Sequence, residues 1–337
     1  MRELVVMDDI RSAQTRIEGV AARTPMVRVD PERLRSAGFV VPEFELYLKA
    51  ESAQPTGSFK LRGAYNMVAQ LPEAVRSPGV ITYSSGNHAQ GVAYAARAMG
   101  VKAVIVMPDN APEIKIRATA GLGAEIVMVG PASSERKAKA EELSTQFGYA
   151  VIPPYDDLRI IAGQATCGLE IVEQLPEVDL VLSPVSGGGL LSGVAAAVKL
   201  LAGTGWAKDD VAVWGCEPEL AADAKESFDT GRLVEWPAAK TSRTIGDGLR
   251  TQSLGALNFQ HVLRFVDGIV AVPEDDIYRA MRAVLLATEL VAEPSGAVTV
   301  AAALFGARSL PKANKVVAIV SGGNIDPTLK ANVLAAE

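Results

Sequence analysis

Short apolar, β-branched runs alternate with longer stretches of helical period along almost the whole chain. The runs are FELYLKA (44–50), GVITYS (79–84), KAVIVM (102–107), AEIVMV (124–129), DLVLSPV (179–185), VAVWGCE (211–217), GIVAV (268–272) and KVVAIVS (315–321). Between them lie Ala-rich patterns such as HAQGVAYAARAMG (88–100), SSERKAKAEELSTQFG (133–148), LLSGVAAAVKLLAG (190–203) and DDIYRAMRAVLLATEL (275–290). Apolar runs of this length read as strands buried on both faces, and the stretches between them are long enough for the helix that a parallel crossover requires. The pattern predicts an α/β fold built on parallel sheets.

A self-contained series of strands and helices runs from about 79 to 150, and its strands end in VMPDN and VMVGPAS, which read as loops at carboxyl strand ends. No internal repeat and no Ser/Gly linker marks a boundary, so the strand rhythm sets it. Residues 76–150 are expected to form a small domain. Residues 1–75 and 151–337 are expected to share a larger sheet, with a ligand cleft between the two.

Composition narrows the function. Apolar residues make up 49% of the 337, and 30 Gly with 19 Pro fall short of a low-complexity chain, so an ordered core is expected. A net charge of −6 offers no footprint for nucleic acid or anionic lipid. Cys167 and Cys216 lack a C-x-x-C spacing and read as reduced thiols of a cytoplasmic protein. Asp8 and Asp9 stand where a signal peptide needs apolar residues, and no apolar run approaches the ~20 residues of a membrane span. With only His88 and His261, a histidine-rich metal centre is excluded.

Four segments carry candidate chemistry. In ESAQPTGSFKLRGAYNMVAQL (51–71), Thr56 or Ser58 is placed to cap a helix with Lys60 in its first turn, where the helix field and desolvation would lower the amine pKa and prepare a neutral nucleophile. A lone lysine is more often a solvated surface group. In TYSSGNHAQG (82–91), backbone N–H groups with Ser84, Ser85 and Asn87 would form a carboxylate-binding turn, or merely an ordinary helix start. SPVSGGGLLSGVAAAV (183–198) sets three glycines before a helix, where bare backbone amides can close on a phosphate; its spacing fits neither a dinucleotide fingerprint nor a P-loop. VVAIVSGGN (316–324) ends a buried strand in Ser321, which either faces a cleft or begins a turn.

Taken in this order, the four segments, with IIAGQATCGLEI (160–171), GDGL (246–249) and AEPSGAV (292–298), resemble the fold-type II pyridoxal phosphate enzymes: threonine and serine dehydratases and serine racemases. The resemblance covers nearly the whole chain. It implies a tryptophan-synthase-β-like fold of two parallel-sheet α/β domains, with pyridoxal 5'-phosphate in the cleft between them. It also implies an imine between Lys60 and the coenzyme, and Phe59 packed beside the ring. Asn87 would bond the phenolic oxygen, and Gly187, Gly188, Gly189 and Leu190 would hold the phosphate. Gly248 and Glu293 would line the ring, and Ser321 would face the pyridine nitrogen. The substrate carboxylate would sit on Ser84, Ser85, Asn87 and His88, helped by Arg136. A neutral hydroxyl at the pyridine nitrogen gives a weaker electron sink than a carboxylate would, which favours elimination.

The expected activity is conversion of L-threonine and L-serine to a 2-oxo acid and ammonia, with Lys60 as general base. Serine at 85 resembles serine racemases and hydroxyaspartate dehydratases, where a hydroxyl on the second face can protonate the α-carbon. Serine racemase or threo-3-hydroxyaspartate dehydratase activity is therefore the alternative; a β-replacement enzyme and a non-catalytic amino-acid sensor are the weaker rivals. CEPELAAD (216–223) resembles the divalent-cation site of those enzymes, with Glu217, Ala221 through its carbonyl, and Asp223 as oxygen donors suited to Mg²⁺, Mn²⁺ or Ca²⁺. Tyr155 and Tyr83 depart from animal serine racemase and lean toward dehydratases. A C-terminal regulatory domain is not expected, and a homodimer or homotetramer is.

Overall fold

The computed structural model describes residues 3–84, 86–111, 113–130 and 133–336. The described residues form ten strands: β1 (Met26–Arg28), β2 (Glu45–Lys49), β3 (Val80–Thr82), β4 (Ala103–Pro108), β5 (Glu125–Val129), β6 (Ala150–Val151), β7 (Leu180–Pro184), β8 (Ala212–Pro218), β9 (Gly268–Val272) and β10 (Lys315–Ile319). They make two sheets. The larger has the order β1-β2-β10-β7-β8-β9, and the smaller β5-β4-β3-β6. All neighbours are parallel except β1, which runs antiparallel to β2. Strand β10, although latest in sequence, sits inside the larger sheet, with Val316 opposite Leu46 on one side and Leu180 on the other.

The apolar runs form central strands because both their faces are covered. Along β10, Val317 and Ile319 join one core, while Val316, Ala318 and the following Val320 join the other, the two-residue alternation of a pleated strand. The helices Leu158–Gln174 and Gly189–Leu201 cover the first face, and Glu274–Ala287 and Pro294–Phe305 the second. Glycines let the first pair touch closely. A Cβ on Gly193 would lie 2.6 Å from Ile161 O, and one on Gly168 would lie 2.8 Å from Val194 O.

The smaller sheet packs on Ala64, Met67 and Val68 of the helix Lys60–Ala69 and on Val92, Ala95 and Ala96 of the helix Asn87–Ala98. The helix that begins at Lys60 thus belongs to this core, while the residue before it is tied to the larger sheet, Phe59 N donating to Ser321 O at 3.0 Å. Beneath the junction lies a buried ionic cluster. Arg62 is fully buried and bidentate to Glu51 (2.7 and 2.8 Å), and it also bonds Glu170 (2.7 and 2.9 Å). Lys49 Nζ meets Glu170 at 2.6 Å and the carbonyl of Thr24 at 2.8 Å. Buried charges persist only when paired this fully.

Strands β1 and β6 and the helix Met7–Ile17 are additions to the elements read from the sequence. Cys167 and Cys216 are buried and unbonded to each other. Among the described residues no helix is long and apolar enough to cross a membrane.

Candidate active site

After β2 the chain turns through Gly57, whose φ of +72° is a left-handed conformation that suits glycine. The expected cap by Thr56 or Ser58 is not formed. The N-cap position belongs to Phe59, the Ser58 hydroxyl is buried without a partner, and Thr56 Oγ1 reaches only Ser58 O at 3.4 Å. The loop is held from outside instead: Ser58 bridges Gly322, and Gly323 N donates to Gly57 O at 2.9 Å. Lys60 opens the helix as expected. Its Nζ donates to the carbonyl of Pro154 at 2.9 Å and stands 5.1 Å from the Phe59 ring centre. Desolvation lowers the amine pKa to about 8, which makes a neutral amine accessible near physiological pH.

The helix Asn87–Ala98 starts at Gly86 without a side-chain cap, so its first N–H groups face forward with no intrahelical partner. Ser84 Oγ accepts from Gly86 N at 3.3 Å. Ser85, expected both in the carboxylate site and on the second face, lies outside the described residues. His88 does not offer its imidazole to a carboxylate. The ring is buried with Nε2 donating to Ile152 O at 3.0 Å, and desolvation together with the Lys60 charge pushes its pKa down to about 3, leaving it neutral. What His88 can contribute is its first-turn backbone N–H. Arg136 lies on the helix Ser133–Phe147, partly desolvated, with its pKa lowered by that burial.

Gly187, Gly188, Gly189 and Leu190 form a buried turn from β7 into the helix Gly189–Leu201, with Gly188 left-handed at φ +97°. Side chains crowd the outside of this turn. A Cβ on Gly187 would lie 2.4 Å from the Tyr155 ring, and one on Gly188 would lie 2.7 Å from Asn258 Cβ. Only glycine fits, and the helix N-terminus presents amides and positive dipole to an anion.

Gly248 sits on the turn Asp247–Leu249, its N–H donating to Ser295 Oγ at 2.9 Å. Lys115 of the helix Glu113–Ala120 pairs with Asp247, joining the smaller sheet's helices to this turn. Ser321 is buried at the end of β10, its Oγ 3.5 Å from Ser295 O, too far to commit the hydroxyl. Glu293 accepts from Asn87 Nδ2 at 2.6 Å, and burial plus the charge of Asp247 raises its carboxyl pKa to about 8. The buried glycine turn, the desolvated amine and the uncommitted hydroxyl fit a phosphorylated aldehyde coenzyme of the kind the resemblance implies.

Glu217 and Asp223 lie buried around the turn Glu219–Ala221, which holds the buried Ala221. Glu217 accepts from Ala224 N (3.2 Å) and Lys225 N (3.0 Å), whereas neither oxygen of Asp223 has a hydrogen-bond partner. Desolvation and then the neighbouring Asp223 push Glu217 well up, and desolvation raises Asp223 to about 7. Two buried carboxylates, one with both oxygens orphaned, fit a hard cation. Among the described residues no group of three or more His, Cys, Asp or Glu side chains is placed to hold a metal, so backbone oxygen and water would have to complete the shell.

Three features of the site were not foreseen. The Pro154 carbonyl receives Lys60, Tyr155 covers the glycine turn, and Asn324 bonds both Thr56 O (2.9 Å) and Asn87 Oδ1 (2.7 Å). Each is a contact across many residues of chain, and only the position of Asn324 beside Ser321 hinted at one of them.

The family model described as "Pyridoxal-phosphate dependent enzyme" matches residues 17–322. The chain is 37% identical over 334 residues to a serine racemase of Schizosaccharomyces pombe, spanning 98% of both chains. It is 40% identical over 323 residues to an L-threonine ammonia-lyase of Thermotoga maritima, spanning 96% of this chain and 76% of that one. The solved serine racemase of maize superimposes with a TM-score of 0.88 at 35% identity, over 97% of this chain and 96% of that one. On this match and these identities, the chain belongs to the pyridoxal-phosphate dependent enzyme family.

Proposed function

We propose that the protein is an ammonia-lyase that converts L-threonine and L-serine to the 2-oxo acid and ammonia. The observation that carries this reading is the Lys60 amine, desolvated to a pKa of about 8 and held by a carbonyl rather than by a carboxylate. Pyridoxal phosphate, when bound, supplies the electron sink that makes loss of the α-proton feasible. With the coenzyme bound, the Nζ of Lys60 would hold its aldehyde carbon until the substrate amine takes that place, and the amine so released would serve as base at the α-proton. In this reading the amides of Gly187 to Leu190 would grip the phosphate, Asn87 would donate to the phenolic oxygen, and Phe59, Gly248 and Glu293 would border the ring. The hydroxyl of Ser321 would face the ring nitrogen and, being neutral, would leave it weakly protonated, which would favour departure of the β-hydroxyl. The substrate carboxylate meets the first-turn amides of the helix Asn87–Ala98 with Ser84 and Ser85, and Arg136 assists. Water lost with the β-hydroxyl is returned when the imine product hydrolyses, so the net products are the 2-oxo acid and ammonia.

The same proposal includes a divalent cation on Glu217, Ala221 and Asp223, a cytoplasmic location, a dimer or tetramer, and the division into residues 76–150 and the remainder. The grouping of β3 to β6 in one sheet supports the division, while the helix Lys60–Ala69, which packs on that sheet, lies outside residues 76–150.

A keto-acid assay over serine, threonine and 3-hydroxyaspartate in both enantiomers tests the reading, with D-serine followed by chiral chromatography. Coenzyme-loaded protein that yields neither keto acid nor inverted amino acid from any of them overturns it, and sulfide diverting product to cysteine would assign β-replacement instead. Racemisation is the second reading, favoured by serine at 85 in SSGNHAQG. Ser85→Ala is expected to spare elimination from L-serine and suppress turnover of D-serine; equal loss of both removes Ser85 from the second face.

A further inference from the structure

Two side-chain amides lie in series between the loop that precedes Lys60 and the buried Glu293. The carbonyl oxygen of Thr56 can only accept a hydrogen bond, so the amide group of Asn324 that lies 2.9 Å from it must be the NH₂. The same Nδ2 lies 2.7 Å from the amide of Asn87. Two NH₂ groups do not face each other at that distance, so Asn87 presents its oxygen to Asn324 and turns its own NH₂ the opposite way, where Nδ2 donates to Glu293 Oε1 at 2.6 Å. One backbone carbonyl thereby fixes the orientation of both amides, which are otherwise nearly symmetric in shape.

Glycines at two positions let the backbone pass close to these groups. A Cβ on Gly57 would lie 2.3 Å from Asn324 Oδ1, and one on Gly322 would lie 2.2 Å from Glu293 Oε1 and 3.2 Å from Asn87 Nδ2. The chain on which Asn324 sits is itself pinned by the bond from Gly323 N to Gly57 O.

We infer that Asn324 is a positioning residue whose amide dictates which face of Asn87 the coenzyme meets, keeping a donor rather than an acceptor toward the ring's phenolic oxygen. This rests on the reading above that Asn87 donates to that oxygen. An amide NH₂ carries two hydrogens; Glu293 takes one, and the other is free for the coenzyme.

Replacing the NH₂ by an oxygen inverts the logic. In Asn324→Asp, a carboxylate oxygen faces Asn87, which must turn its NH₂ toward residue 324 and its oxygen toward the coenzyme. The test titrates wild type, N324D, N87A and the double variant N87A/N324D with pyridoxal 5'-phosphate, recording the absorption band of the bound coenzyme, its pH dependence and the dissociation constant. N324D is expected to shift the band and weaken binding about tenfold, the loss of one good hydrogen bond. The double variant is expected to match N87A alone, because without the Asn87 amide there is nothing left to orient. Independent, additive losses would overturn the inference, as would an N324D protein with the wild-type band and affinity. Should N324D fail to fold by circular dichroism, N324A against N87A/N324A applies the same criterion. Wild-type protein that binds no coenzyme would instead overturn the functional reading.

Discussion

A methyl group on Gly163 would stand 2.6 Å from the Cα of Gly63, because the helices Leu158–Gln174 and Lys60–Ala69 touch backbone to backbone at these two glycines. The same methyl would lie 2.7 Å from Arg62 O, so no rotamer change can relieve the collision. Gly163→Ala must push apart the helix that begins at Lys60. Overpacking of this kind costs about 1–3 kcal/mol. The expected outcome is a lower melting temperature together with weaker coenzyme binding, read by thermal melts and by titration with pyridoxal 5'-phosphate. A variant unchanged in both would show that the helices can separate without moving the amine.

The ionic cluster under the site sets a second expectation. Burial pushes the Glu51 carboxyl up, but the Arg62 guanidinium outweighs it and holds the pKa at about 2, below the unfolded value of 4.5. The unfolded chain therefore takes up this proton first as pH falls, and the stability that Glu51 contributes is complete above about pH 4.5 and lost toward pH 2. Arg62→Met strands Glu51 without its ion-pair partner, leaves Glu170 with Lys49 alone, and is expected to cost about 3–5 kcal/mol at neutral pH. Denaturant melts between pH 7 and 3 should show wild type losing stability on acidification and the variant, already weakened, losing less. Equal slopes would place the acid response elsewhere.

Coenzyme uptake by the bare protein should follow the protonation of one amine. Only neutral Lys60 can attack an aldehyde, and the neutral fraction rises as pH passes about 8. The rate of uptake, followed by stopped-flow absorbance, is expected to climb through that pH and level off above it. Lys60→Ala should show no covalent adduct after borohydride treatment at any pH.

The orphaned carboxylate of Asp223 gives a cation a place to act on stability, since a ligand that binds only the folded form raises its apparent stability. Added Mg²⁺, Mn²⁺ or Ca²⁺ should raise the melting temperature, and exhaustive chelation should lower it. Asp223→Asn should abolish both responses. A melting temperature indifferent to cation and chelator would leave the cation site unsupported.

Much of the site was legible because its parts sit where local pattern is strongest, at strand ends followed by helices. Lys60 after TGSF, the glycines after β7 and Ser321 after β10 all stand where the strand rhythm puts them. What stayed hidden depends on distant chain. Strands β1 and β6 span three and two residues, too short for any periodicity, and exist only because Lys49 and Val80 offer them partners. The cap expected from Thr56 or Ser58 fails because Ser321 and Gly322 hold that loop from across the sequence. The His88 ring is held by Ile152 O, a contact across the chain that no local pattern shows.

The place of β10 also governs how the molecule must come into being. Because this strand fills the slot between β2 and β7, a nascent chain leaving the ribosome carries two unsatisfied strand edges until residues 315–319 emerge. The four-stranded sheet, complete by residue 151, is under no such delay. Assembly during translation would therefore be vectorial, with the small sheet ready first and the larger sheet closing only after β10 has left the exit tunnel. Chains halted before β10 would keep strand edges exposed to aggregation.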